Sequence, residues 1–153
     1  MLRMSKLTDY GTMVLAQLAA KGGGLSTAGQ VADATHLGQP TVSKLLKSLV
    51  RAGLVVSTRG VLGGYALARP ADAISAAEII DALEGPVAIT ECSSAEGGCN
   101  LEAFCRVGMA WKRINLSIRK ALQSVTLADL QRLREPLPPP DLRAGLRTAA
   151  AAR

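Results

Sequence analysis

Leu7, Gly11, Val14, Leu15 and Leu18 recur at steps of three and four. That spacing lines one helix face and predicts a first helix over roughly residues 8–20, closed by Lys21 and three glycines. Ser26-Thr27 then offers an N-cap for a short second helix with Ala28, Val31 and Ala32 on one face. Gly38 is expected to break it, and Pro40 suits the first turn of a third helix. There Val42, Leu45, Leu46 and Leu49 form an apolar stripe, with Thr41, Ser43, Lys44, Lys47 and Arg51 opposite, until Gly53. From Leu54 to Ala68 the helical period gives way to two short β-prone runs around Gly60, Gly63 and Gly64, the pattern of a hairpin. A helix is expected again over Ser75–Leu83, offering Ile74, Ile79, Ile80 and Leu83 to a core and stopped by Gly85-Pro86. Finally Val107, Trp111, Ile114, Ile118, Leu122 and Val125 mark a long helix with one apolar seam, and a brief helix is expected near Thr126–Arg132.

Three helices followed by a hairpin is the order of a winged helix-turn-helix, so the fold class is mainly α with a small β wing plus a long dimerisation helix. The third helix would enter the major groove, with Gln39, Thr41, Ser43 and Lys44 at its N-terminal end against base edges and Lys47 and Arg51 on phosphates. Arg59 stands at the hairpin tip, where it can reach phosphates or a narrow minor groove. The candidate DNA surface is therefore Ser26, Thr27, Gln39, Pro40, Thr41, Ser43, Lys44, Lys47, Arg51, Arg59 and Gly60. A small helical domain whose hairpin merely closes the core is the competing reading. The seam of the long helix either packs on its copy in a second subunit or folds back on its own domain, and both can hold for different faces. The expected organisation is a DNA-binding domain over 1–72, a connecting helix and linker over 73–91 and a cysteine loop over 92–105. The long helix and its short successor take 106–132, and a Pro-, Ala- and Arg-rich tail, expected to be disordered, takes 133–153.

Charge strengthens the nucleic-acid reading. Residues 1–70 hold eight Lys or Arg against Asp9 and Asp33, whereas the rest of the chain balances ten against ten, so the net +6 lies in the first half. Double-stranded operator DNA is the expected partner, alongside a second copy of the chain. No membrane or small-molecule substrate is expected, since no apolar run is long enough to span a bilayer and no substrate-site constellation is present. Arg3 and Lys6 ahead of an apolar run look superficially like a secretory signal, but Asp9 and Gln17 interrupt it, and a cytoplasmic location is expected.

All three cysteines, Cys92, Cys99 and Cys105, fall within fourteen residues. In a reducing compartment such a cluster points to metal or redox chemistry before disulfides. Four readings compete: an iron–sulphur cluster, with Gly97 and Gly98 letting the backbone curl around it; a structural zinc site; a metal-free thiol switch; and spectator thiols. Intervals of six and five residues are longer than zinc loops favour. Glu91, Glu96 and Glu102 disfavour bare thiolates.

Ser57-Thr-Arg-Gly-Val-Leu-Gly-Gly-Tyr65, the Leu7-Thr-Asp-Tyr-Gly11 start and the three-cysteine loop ahead of a long helix resemble the IscR/NsrR family of bacterial iron–sulphur winged-helix transcriptional regulators. The resemblance covers about residues 1–132. Gln39-Pro-Thr-Val-Ser-Lys-Leu-Leu-Lys47 looks most like members that regulate the Suf iron–sulphur assembly genes. It implies a homodimer on a palindromic operator whose binding responds to a cluster, of four-iron type in preference to two-iron, held by Cys92, Cys99 and Cys105. Some members add a histidine three residues after the last cysteine; that position is Gly108 here. Others use an aspartate at the start of the first helix of the partner subunit, which matches Asp9. His36, the only histidine, is expected to be a surface residue rather than a ligand. A nitric-oxide- or redox-responsive repressor, a zinc-stabilised DNA-binding protein and, from a different class, a small iron–sulphur electron carrier are the alternatives. The last leaves the basic half and the wing unexplained.

Overall fold

The computed structural model describes residues 4–93 and 105–132, apart from the side chain of Cys92. Helix α1 spans Lys6–Ala20, two residues earlier than the apolar spacing predicts, because the Ser5 hydroxyl caps it by accepting from the Leu7 N–H. Its buried face is Thr8, Gly11, Val14, Leu15 and Leu18. Leu7 faces outward, and Thr8 takes the inner position because its hydroxyl donates to Glu84 Oε1 on a later helix. Helix α2, Ala28–Thr35, opens with a reciprocal Thr27–Gln30 capping box. It is ended by His36 in the left-handed region (φ 56°), not by Gly38, which instead stands at the N-cap of α3, Gln39–Arg51. The four α3 residues expected to form an apolar stripe, Val42, Leu45, Leu46 and Leu49, are all buried.

Strands β1 (Val55–Thr58) and β2 (Gly64–Leu67) form the expected hairpin, with Val55 opposite Leu67 and Thr58 opposite Gly64. It is tied to the helical part just behind its turn by two backbone bonds between Ser26 and Tyr65, at 3.0 and 2.8 Å. The approach is close enough that a Cβ on Gly64 would stand 2.8 Å from the Ser26 carbonyl oxygen, so a side chain there would separate wing from helices.

Helix α4, Ala76–Glu84, begins in a Ser75–Glu78 capping box and buries Ala77, Ile79 and Ile80. Within the box the Glu78 carboxyl is held below its ordinary range, first by the Ser75 backbone N–H and then by Arg69 at 2.7 Å. Helix α5, Gly108–Gln123, carries the seam, and α6, Leu127–Arg132, follows behind a Thr126–Asp129 cap. The chain returns to the start of α4 here: the Ala76 N–H donates to the Val125 carbonyl and the Leu127 N–H to the Ile74 carbonyl, both at 2.8 Å. Leu127 joins Val14, Leu15, Leu18, Val31, Leu46, Leu49 and Ile74 in one core. The architecture is the expected one, mainly helical with a two-stranded wing. The tail at 133–153 and the cysteine-loop residues 94–104, Cys99 among them, lie outside the described residues. Among the described residues no helix is long and apolar enough to cross a membrane.

Candidate nucleic-acid interface and cysteine-loop site

The buried α3 stripe determines what the opposite face of that helix presents. With Val42, Leu45, Leu46 and Leu49 turned inward, Gln39, Pro40, Lys44, Lys47 and Arg51 are exposed and Thr41 and Ser43 half-buried. The first turn of α2 lies beside that of α3: a Cβ on Gly29 would stand 4.0 Å from Gln39 Nε2. Thr27 is exposed there, although its hydroxyl is committed to the Gln30 N–H as a helix cap. Arg59 and Gly60 are exposed at the wing tip. Ser26 does not join this surface. It is buried against β2, and its hydroxyl finds no partner among the described residues. Its neighbour Thr27 does the capping; the pairing with Tyr65 that turns Ser26 inward is invisible in a local pattern. No carboxylate occurs between residues 34 and 71, and Lys44, Lys47, Arg51 and Arg59 have no acidic partner among the described residues. The face is therefore uncompensated positive charge, mixed with hydrogen-bonding side chains on a helix free to enter a groove.

Residues 4–132 match the profile of the Rrf2 family, described as iron-dependent transcriptional regulators. The chain belongs to the Rrf2 family. It is 35% identical over 130 residues to the HTH-type transcriptional regulator CymR of Bacillus subtilis, covering 84% of this chain and 89% of that one. The solved structure of CymR, described as the global cysteine regulator of B. subtilis, superposes with a TM-score of 0.67 at 34% identity, over 88% of this chain and all of the other. That of T. potens IscR gives 0.64 at 32% identity, over 88% and 89%. This Rrf2 chain is accordingly a DNA-binding transcriptional regulator and not an enzyme. The likeness extends to CymR and IscR alike and does not single out regulators of the Suf genes.

In this Rrf2 protein the cysteine loop leaves and re-enters the structure against one helix. Its leading end, the short turn Glu91–Ser93, packs on α5, and its trailing end, Cys105, immediately precedes α5. Asn115, buried in the middle of α5, holds the approach to the loop: its amide donates to the Val87 carbonyl at 3.1 Å and accepts from the Ile89 N–H at 3.3 Å. Sequence reading passed over Asn115. Its signal was a lone amide beside the apolar seam.

The half-buried Cys105 thiol lies against the first residue of α5: a Cβ on Gly108 would meet its Sγ at 3.6 Å, ordinary contact. Position 108 therefore faces the cysteine and supplies no donor. The one described donor is the free Cys105 thiol, a ligand type that iron–sulphur groups take. Among the described residues no three His, Cys, Asp or Glu side chains converge; Cys99 and the Cys92 side chain lie outside them. His36 is exposed and serves as the left-handed helix stop, as a surface residue would.

Asp9 is exposed on α1 and lines an apolar groove of about 620 Å³ with Met4, Met13, Ile80, Leu122 and Val125. Leu122 lies near the C-terminal end of α5, about 21 Å along the axis from Gly108 at 1.5 Å per residue, with Val125 just beyond the helix and Cys105 before its start. Asp9 thus does not sit with the Cys105 of its own chain. Glu84, nearby, accepts from the Thr8 hydroxyl and from the Ser5 N–H and hydroxyl. The Thr8 hydroxyl, foremost, and then Ser5 hold the Glu84 carboxyl below its ordinary range.

Proposed function

We propose that the chain works as a homodimer that binds palindromic operator DNA under the control of an iron–sulphur cluster, regulating genes of cluster assembly. One observation carries this reading. The first half of the α5 seam, Val107, Trp111 and Ile114, is open to solvent, with the trailing end of the cysteine loop before it and the Asp9 groove at the C-terminal end of the helix. An antiparallel pairing of two such helices covers both seams and brings each Asp9 to the other subunit's Cys105 end. Cys92, Cys99 and Cys105 would then hold the cluster, with Asp9 of the partner chain as the fourth ligand in the place that Gly108 leaves empty. A cluster bound there supplies an oxygen- and nitric-oxide-sensitive link between subunits. The chain's own part is mechanical: α1 carries Asp9, and the same helix packs against α3, so tension at Asp9 is delivered to the recognition helix. Gln39, Thr41, Ser43 and Lys44 read base edges, while Lys47, Arg51, Arg59 and the Gly60 backbone meet phosphate or the minor groove.

Absorption of protein purified without oxygen tests the reading. A brown protein with stoichiometric iron and sulphide is expected, whose operator affinity changes on cluster removal and in Asp9→Ala. A colourless, zinc-loaded protein would remove the cluster, and operator binding indifferent to its removal would remove the sensor. A second reading follows from the similarity to CymR: control of cysteine metabolism, with the thiols responding directly. It requires operator binding to shift on thiol oxidation in iron-free protein.

A further inference from the structure

We propose that Val61 and Leu62, at the tip of the wing, form an apolar wedge that enters the minor groove and opens one base step of the operator. The proposal rests on the reading of the α3 face as the DNA surface and adds a deformation of the DNA to it. The Gly63 N–H donates to the Gly60 carbonyl at 2.9 Å, closing a turn whose two corner residues are Val61 and Leu62. Turn corners ordinarily hold Gly, Pro, Asn, Asp or Ser, for reasons of backbone freedom and local hydrogen bonding. Here both are branched aliphatics, fully exposed at 104% and 90%. Sequence that breaks a local rule with no return inside the fold points to a use outside it.

The tip is also braced from behind. A Cβ on Gly63 would collide with the Thr58 carbonyl and stand 2.9 Å from the Gly60 carbonyl oxygen, while Gly64 backs onto Ser26. A hairpin packed this tightly just behind its turn projects its corners rather than folding them back. What it projects toward is identified by charge. The segment 34–71 holds Lys44, Lys47, Arg51, Arg59 and Arg69 and no carboxylate, with Arg59 two residues from Val61. Cations beside two aliphatic side chains suit a polyanion with an apolar interior. Duplex DNA is one: phosphates line its groove, and an unstacked step offers a slot for an apolar side chain. Arg59 in the narrow groove would hold the wing in place while the aliphatic pair separates the bases.

The test uses the full chain, prepared without oxygen, on duplexes that it selects from a random pool. The selected duplex carries end labels for energy transfer and 2-aminopurine at successive positions. Wild type is expected to bend the duplex and to brighten 2-aminopurine at one flexible pyrimidine–purine step in each half-site. The Val61→Ser/Leu62→Ser variant keeps a turn-compatible loop. It is expected to lose the brightening, reduce the bend and weaken operator binding about tenfold, with an unchanged salt slope because no phosphate contact is removed. Val61→Ile/Leu62→Met should retain all three. Wild-type binding without bending or brightening, or a serine variant that bends and binds as wild type does, would overturn the wedge and leave DNA binding standing. Failure of wild type to select any duplex would overturn the DNA reading and the wedge with it.

Discussion

Helices α3 and α5 are written in the same pattern, yet the structure treats them oppositely. On α3 the apolar stripe of Val42, Leu45, Leu46 and Leu49 is at most 2% exposed. On α5 the seam positions Val107, Trp111 and Ile114 remain 58%, 39% and 44% exposed. Toward its own chain α5 makes polar contacts, where Asn115 grips the 87–89 backbone and Arg119 forms a two-pronged pair with Asp81 at 3.1 and 2.6 Å, and only the later seam residues Ile118 and Leu122 are half-buried there. An amphipathic period announces that a stripe will be buried; it does not say by what. In α3 the covering surface is inside the chain. Over the first half of α5 no covering surface is found among the described residues, the condition under which a second molecule completes the fold.

The contrast can be broken by substitution. Leu46→Ala should cost about 2–5 kcal/mol in urea unfolding, as a cavity in a closed core does. A loss below about 1 kcal/mol would mean that α3 is not the sealed partner in the comparison. Trp111→Glu with Ile114→Glu should leave the head folded but convert the sedimenting species from dimer to monomer. Operator affinity should then fall about a hundredfold as the two half-sites uncouple. A sedimenting species unchanged by the two charges would show the seam to be a solvated face. Asn115→Ala, which orphans the Val87 carbonyl and the Ile89 N–H, should cost about 1–2 kcal/mol locally. Faster amide exchange at residues 87–91, with α3 unaffected, is the readout.

The smallest effect concerns pH. The Glu84 carboxyl is depressed in the folded state, so its contribution is fully present above its ordinary value of 4.5 and is lost as the pH falls through the lower folded value. Glu84→Gln should lower stability modestly at neutral pH and converge with wild type in acid, so that the acid limb of the stability curve flattens below pH 4.5. An unchanged acid limb would dismiss the contact as a surface one.

What could be read in advance follows the same division. The α3 stripe, the wing and the capping signals were legible because each depends on residues a few positions apart. Thr8 displacing Leu7 from the core was not, since its partner Glu84 is 76 residues away. Ser26, expected on the DNA face beside Thr27, is turned inward by a bridge to Tyr65, far along the chain. The stop after α2 was assigned to Gly38, the residue with the freest backbone, whereas His36 adopts the left-handed conformation instead. At the cysteine loop, clustering alone singles out the thiols, while the gap at Gly108 is visible only through the family resemblance. The separation of Asp9 from Cys105 along α5 needed coordinates, because it is a property of the helix's direction rather than of any motif.

The return of the chain at Val125–Leu127 has a mechanical consequence. Backbone bonds to Ile74 and Ala76 and the fully buried Leu127 weld the C-terminal end of α5 to the reading head. The helix therefore leaves the head at a set angle, as the arm of a caliper leaves its hinge. Two such arms joined along their seams would fix the gap between their jaws, and the gap is the distance between two recognition helices. Adding a base pair between the halves of the operator would then be measured by the protein as a misfit that neither arm can bend to absorb.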